Sequence, residues 1–355
     1  MSEVIIRTEG RVGRLTLSRP DALGALTLGM CEAMIAALMA WKDDPAVALV
    51  LIDHTGGRGF SAGGDIRTLA DSAQGDGTAS RAFFFTEYRL DHLIFEFPKP
   101  VATIMDGVVM GGGVGISWTA RYRIATERTT FAMPETGIGL FPDVGAGWFL
   151  PRMSGHAGMW LGLTGARLKA ADCELFGIAT DVIAADQLDA FKAAVIADPE
   201  AIETLLTEYE LDAGRPASAP HHDDIARLFA GSSVEAILAD LDAAGPGWAA
   251  EQAAILRTKS PTSLKVAHRL IREGAAFGSF AEDMLVEHRI AMRLAFGADF
   301  IEGVRAVIID KDNAPVWSPA ALSGVTEANL EAIFAALPGA EWSPLPHLEG
   351  QPHGL

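Results

Sequence analysis

Glu135 and Asp143 lie eight residues apart in the stretch Phe131-Ala-Met-Pro-Glu-Thr-Gly-Ile-Gly-Leu-Phe-Pro-Asp-Val-Gly145. Five glycines and prolines separate or flank them: Pro134, Gly137, Gly139, Pro142 and Gly145. Such a frame places both acids on loops or at helix starts, where a rigid scaffold holds binding and catalytic groups. In the largely apolar setting of Glu135 a carboxylate is desolvated and its pKa raised, which suits a base or a nucleophile. Two glycine clusters come earlier in the chain, Ser61-Ala-Gly-Gly-Asp65 and Met110-Gly-Gly-Gly-Val-Gly115. Backbone N–H groups exposed by such turns hold an anion or a developing oxyanion. Two carboxylates with two backbone cradles point to acyl chemistry.

The elements that must carry these groups are legible around them. Residues 4–18 predict a hairpin turning at Glu9-Gly10, and Thr27 caps a helix running to Trp41. Residues 47–53 form an apolar run, read as a buried strand, that leads into the first glycine cluster. A second strand, 101–105, leads likewise into Gly107 and the second cluster, and a helix follows. Strand, glycine loop and helix at similar spacing, twice, indicate stacked ββα units of an α/β fold. Beyond about residue 153 helical periodicity takes over, at 156–163, 169–176, 185–196, 234–243, 262–273 and 280–296. Residues 214–220 read as a linker or surface loop. The chain divides into a catalytic core over 1–190, a helical C-terminal region over 191–337 and a flexible tail over 338–355.

Composition narrows the class. With 355 residues, 49% hydrophobic and 21% charged, the chain has the make-up of a well-cored globular protein of one large domain or two modest ones. No apolar run reaches the ~20 residues of a membrane-spanning helix. The opening Met1-Ser-Glu-Val lacks the pattern of a signal peptide, so a soluble cytoplasmic protein is expected. Cys31 and Cys173 lie far apart without a histidine cluster, which argues against a disulfide framework or a zinc site. Cys31, on an apolar helical face, reads as an inert core thiol. A net charge of −18 argues against nucleic acid as a partner, yet local cations or helix N-termini can still bind an anionic small molecule. The histidines are scattered, and Ser61 has no evident base.

Each glycine cluster, taken alone, is also what a tight turn or close packing requires. Neither contains a G-x-G-x-x-G or P-loop pattern. Together, each behind an apolar strand, they favour a pair of oxyanion donors, the N–H groups of Ala62 and Gly112. Gly112 opens a helix, whose dipole favours negative charge. Two readings stand for Asp143: it caps a helix beginning near Val144, or it faces a ligand. Glu87, in Phe83-Phe-Phe-Thr-Glu-Tyr88, either points inward as a third polar group or covers the surface.

The three segments 59–66, 110–115 and 131–145 resemble the crotonase (enoyl-CoA hydratase/isomerase) superfamily, and more closely its 3-hydroxyisobutyryl-CoA hydrolase branch. The resemblance continues in Ser260-Pro-Thr-Ser-Leu-Lys265 and in residues 299–312, and so covers about residues 1–320. It implies a crotonase-like spiral of ββα units with a helical C-terminal region, and an acyl-CoA thioester as the small-molecule substrate. Coenzyme A would enter as part of that substrate, with no separate cofactor and no metal. The thioester carbonyl would sit at Ala62 and Gly112, with Gly63, Gly64, Asp65 and Gly111 around it. Glu135 would match the catalytic glutamate, Asp143 its partner acid, and Glu87 a further substrate-contacting carboxylate. Hydratases of the superfamily place a second glutamate three positions after the oxyanion glycine, which here is Gly115, and generally have glycine where this chain has Asp143. That exchange favours thioester hydrolysis, as in valine breakdown, over hydration. Arg58, Arg67, Lys99, Lys259 and Lys311 are candidates for the phosphates of CoA. Members of the superfamily often form trimers or pairs of trimers, while the longer C-terminal part here could cover that surface. A homo-oligomer and a single chain both stay open.

Overall fold

The computed structural model describes residues 3–346. The expected hairpin is present as β1 (Val4–Glu9) and β2 (Val12–Leu17), paired antiparallel from Val4 opposite Leu17 to Glu9 opposite Val12. Helix α1 (Leu28–Lys42) follows, capped as expected by Thr27, whose side chain accepts the Met30 N–H at 3.2 Å. Three strand pairs come next: β3 (Leu49–His54) with β4 (Gly59–Ser61), β5 (Val101–Met105) with β6 (Val108–Met110), and β7 (Tyr122–Ala125) with β8 (Thr130–Ala132). Between them run α2 (Ile66–Gln74), α3 (Thr78–Phe95) and α4 (Gly112–Trp118).

The first member of each pair joins a six-stranded sheet of order β1-β2-β3-β5-β7-β9, where β9 is Asp181–Val182. The second member joins a three-stranded sheet of order β4-β6-β8. Every pairing after the hairpin is parallel. The chain therefore steps from the large sheet to the small one and returns through helix or loop, which builds the spiral of ββα units.

The central strands are apolar throughout because both faces of the large sheet are covered. In β3, Val50 and Ile52 point into one cluster while Leu49 and Leu51 point into the other. In β5, Val101 and Met105 take the first side and Ala102 and Ile104 the second. This is the two-residue period of a strand.

The rest of the chain is largely helical: α5 (Ala146–Phe149), α6 (Ala157–Thr164), α7 (Ala170–Leu175), α8 (Leu188–Ala197), α9 (Ile202–Glu208), α10 (His222–Leu228), α11 (Val234–Ala243), α12 (Trp248–Leu256), α13 (Pro261–Gly274), α14 (Phe280–Leu294), α15 (Ala298–Val304) and α16 (Glu327–Phe334). Residues 214–220 form no regular element apart from turns and the start of a short 3₁₀ segment, in keeping with the expected loop.

Two expected boundaries move. Helix α8 straddles residue 190, and its Phe191 and Val195 pack with Val12 and Leu51 beneath the sheet. The helices from α11 to α14 share one apolar cluster with the strands, so the helical region has no core of its own. The expected tail is anchored at Trp342 and Ser343. Trp342 is 3% exposed and its indole N–H donates to the Phe85 carbonyl at 3.2 Å, while the Arg89 guanidinium donates to the Ser343 carbonyl. The remainder of that expectation, residues 347–355, lies outside the described residues. Among the described residues no helix is long and apolar enough to cross a membrane. Cys31 and Cys173 are free, buried thiols, both pushed up by burial.

Candidate active site

Each catalytic candidate is placed by a turn that the sequence forces. Strand β8 ends at Ala132, and a 3₁₀ turn over Glu135–Ile138 follows Pro134. That turn is tied on three sides: Gly137 N–H donates to Pro134 O, Thr136 Oγ1 to Leu163 O, and Ser260 N–H to Thr136 O. Gly139 closes it at φ 73°, with an added Cβ lying only 2.2 Å from the Asp299 carbonyl, so only glycine fits. Glu135 thus stands rigidly at the wall of a cavity of about 590 Å³.

Asp143 faces the same cavity from the segment before α5, and Glu87 faces it from α3. The two open readings are resolved. The Asp143 carboxylate caps no helix; it accepts the Tyr88 hydroxyl at 2.7 Å, and the N-cap of α5 is Gly145. Glu87 points inward and is 2% exposed. An added Cβ on Gly112 would lie 2.0 Å from Glu87 Oε1, so the glycine is what lets this carboxyl approach the start of α4.

The glycine loops touch. A Cβ on Gly63 would sit 3.0 Å from Gly112 N and 3.1 Å from Gly111 Cα. Ala62 is not the expected oxyanion donor. The Ala62 N–H already donates to the Leu23 carbonyl at 2.9 Å and has no hydrogen left for a ligand. Two residues on, the Gly64 N–H has no partner among the described residues, and Gly64 lines the cavity. The Gly112 N–H, first in α4, is likewise without a partner. The unpaired donors are therefore Gly64 and Gly112. Gly63 and Gly111 line the cavity as expected. Asp65 does not: its carboxylate accepts from Arg19 at 3.0 Å and caps α2 through the Thr68 N–H.

The electrostatics are those of buried carboxyls outnumbering the cations near them. Burial, then the charge of Asp143, pushes Glu135 well above its ordinary value; its own backbone N–H, Lys259 and the Gly111 N–H pull the other way. Asp143 is raised to about 7 by burial, partly offset by the Tyr88 hydroxyl. Glu87 is raised by burial, Asp91 and Asp143. Six carboxyls, counting Asp91, Asp283 and Glu287, are buried in or behind this wall. Ionising all of them in a dry interior would be prohibitive, so several hold protons.

Of the cations proposed for phosphate, only Lys259 lines the cavity. The Lys99 ammonium is taken up by the carbonyls of Trp41 and Asp44, and Arg58, Arg67 and Lys311 are exposed away from the lining. Arg167, exposed beside the opening, was not singled out by its sequence surroundings. Nor were Tyr88 and Asp91. The signal for Asp91 is the glycine opposite it: a Cβ on Gly115 would lie 2.6 Å from its Oδ1.

A model of the family described as Enoyl-CoA hydratase/isomerase matches residues 12–334. The mitochondrial 3-hydroxyisobutyryl-CoA hydrolase of Danio rerio is 42% identical over 348 residues, spanning 95% of this chain and 90% of its own. The enzyme of the same name from Homo sapiens is 40% identical, spanning 94% and 89%. Among solved structures, a carnitinyl-CoA dehydratase from Mycobacterium thermoresistibile matches with TM-score 0.92 and 38% identity, over 99% of this chain and all of that one. An enoyl-CoA hydratase from Rhodobacter sphaeroides matches with TM-score 0.89 and 39% identity, over 96% and 100%. The cytoplasmic location expected from the N-terminal residues is overturned by the curated relatives, which are named as mitochondrial.

Proposed function

Since the chain belongs to the enoyl-CoA hydratase/isomerase family, we infer that it hydrolyses a β-hydroxyacyl-CoA thioester, 3-hydroxyisobutyryl-CoA, to 3-hydroxyisobutyrate and CoA. The reaction has its place in the breakdown of valine. One observation carries this choice over hydration. Glu135 and Asp143 share a single cavity with two unpaired backbone donors, while position 115 has no side chain and no room for one beside Asp91. The two matched structures titled as hydratase and dehydratase share the fold, but an added glutamate at Gly115 would collide with a buried carboxyl.

In this mechanism the thioester carbonyl oxygen accepts from the N–H groups of Gly64 and Gly112. They stabilise the oxyanion as the carbonyl carbon becomes tetrahedral; one such donor contributes on the order of 3 kcal/mol. Glu135 supplies the electron pair. It either attacks the carbon itself, giving an anhydride that water then cleaves, or removes a proton from the attacking water. The C–S bond breaks and the thiolate takes a proton from the carboxyl of Asp143, whose pKa of about 7 makes both of its forms available. In the ground state Asp143 binds the β-hydroxyl. Lys259, with Arg167 at the opening, meets the phosphates of CoA.

The test is a pair of thioesters differing only in that hydroxyl. A site built to bond a hydroxyl rejects the analogue lacking it by a factor on the order of 10⁴ in kcat/KM. Equal rates on 3-hydroxyisobutyryl-CoA and isobutyryl-CoA would remove Asp143 from its role.

A further inference from the structure

We propose that Glu287, one turn from Asp283 on α14, is a positioning residue that clamps the backbone turn after Asp143 and so aims that carboxyl at the β-hydroxyl of the substrate. The clamp rests on the selectivity proposed above and adds two residues that do not line the cavity.

The turn needs holding. Val144, next to Asp143, has φ 54°, in the left-handed region that β-branched residues avoid, and Gly145 follows at φ 98°. Val144 is also fully buried. Outliers of this kind persist where surrounding structure over-determines them, and they gather at functional sites.

What over-determines this one is a single side chain. Glu287 Oε2 accepts the Gly145 N–H at 2.9 Å and Oε1 accepts the Gly147 N–H at 3.0 Å. Both oxygens are thus spent on the backbone within four residues of Asp143, from a helix more than 130 positions away in sequence. Glu287 and Asp283 are fully buried and lie one turn apart, on the same face of α14. Burial raises the Asp283 carboxyl to about 8, opposed by Glu287 and the Trp148 backbone. A Cβ on Gly147 would meet Asp283 Oδ1 at 2.1 Å, so the glycine is what lets the acid pair reach the turn. From the other side the Tyr88 hydroxyl fixes the Asp143 carboxylate itself. Backbone and carboxylate are held separately.

The experiment compares wild type with E287Q, E287D, V144G and the double variant E287Q/V144G on 3-hydroxyisobutyryl-CoA and isobutyryl-CoA. E287Q and E287D, which cannot serve both N–H groups as the carboxylate does, are expected to lose about 10²-fold in kcat/KM on the hydroxylated thioester. They should lose distinctly less on the other, which needs Asp143 only to protonate the leaving thiolate, so the preference narrows. V144G removes the unfavourable φ, and the double variant should recover most of the preference. Amide hydrogen exchange over residues 143–149 is read in parallel without substrate, and should be slow in wild type and fast in E287Q. Unchanged preference with unchanged exchange in both Glu287 variants would overturn the clamp. So would an equal loss on both thioesters that V144G does not rescue. Faster exchange in E287Q, in an enzyme that never preferred the hydroxylated thioester, would leave the clamp standing and refute the function instead.

Discussion

The Tyr88 hydroxyl donates to Asp143 Oδ2 at 2.7 Å, with both groups buried and with Tyr88 following Glu87 on α3. One helix therefore supplies a cavity-lining acid and the hydrogen bond that steadies another. The bond favours the ionised form of Asp143 and opposes the burial that raises it to about 7.

Y88F removes that opposition. A hydrogen bond to a charged group is worth about 1.5–3 kcal/mol, so the Asp143 pKa should rise by about one to two pH units. The corresponding limb of the kcat profile should move to higher pH by that amount. An unmoved limb would mean that Asp143 does not govern it.

E135Q keeps the shape of the side chain and removes its electron pair. Turnover should fall by about 10²–10⁴-fold, while a non-hydrolysable CoA thioether binds within a few-fold of wild type. Retained turnover would take Glu135 out of the mechanism.

At Gly112 the prediction concerns packing. G112A puts a methyl group 2.0 Å from Glu87 Oε1 and should destabilise the fold by about 1–3 kcal/mol, read from denaturant midpoints. Removing the obstacle in E87A/G112A should make the pair cost less than the sum of the two single changes. Additive costs would place the two groups apart.

Much of the site was legible because its local chemistry was. The strands show as apolar runs and the cradles as glycine clusters, and Pro134, Gly139 and Gly145 framed Glu135 and Asp143 without help from tertiary structure. What could not be read locally depended on partners distant in sequence. Ala62 and Gly64 look equivalent in Ala-Gly-Gly, and the carbonyl of Leu23 decides which N–H is free. Asp91, Asp283 and Glu287 sit among charged neighbours at helical spacing, like solvated helix faces. Only the glycines packed against them, Gly115 for one and Gly147 for another, betray that they are buried. The tail read as loose from its prolines and glycines because one tryptophan, Trp342, determines its packing.

Stability should fall as pH rises. Asp143 and Asp283 bind their protons more tightly folded, at about 7 and 8, than unfolded near 3.8. Between pH 4 and those values the native state holds more protons than the unfolded one, so each group's contribution is greatest below pH 4 and is lost as pH climbs through its folded value. The slope is at most about 1.4 kcal/mol per pH unit for each group. The titratable groups bearing on Asp283 are Glu287, Arg152 and Glu282. D283N should flatten the decline of Tm between pH 5 and 8 and should be relatively more stable at pH 8. A Tm that declines as steeply in D283N would assign the effect elsewhere.

Hydrolysis of the thioester releases free CoA thiol, which hydration does not. Purified protein is given 3-hydroxyisobutyryl-CoA and crotonyl-CoA in parallel, with thiol followed by a chromogenic reagent and the enoyl absorbance followed separately. Rapid thiol release from the hydroxylated thioester, with crotonyl-CoA left intact, is the predicted result. Falling enoyl absorbance without thiol release from either compound would contradict it and make the chain a hydratase.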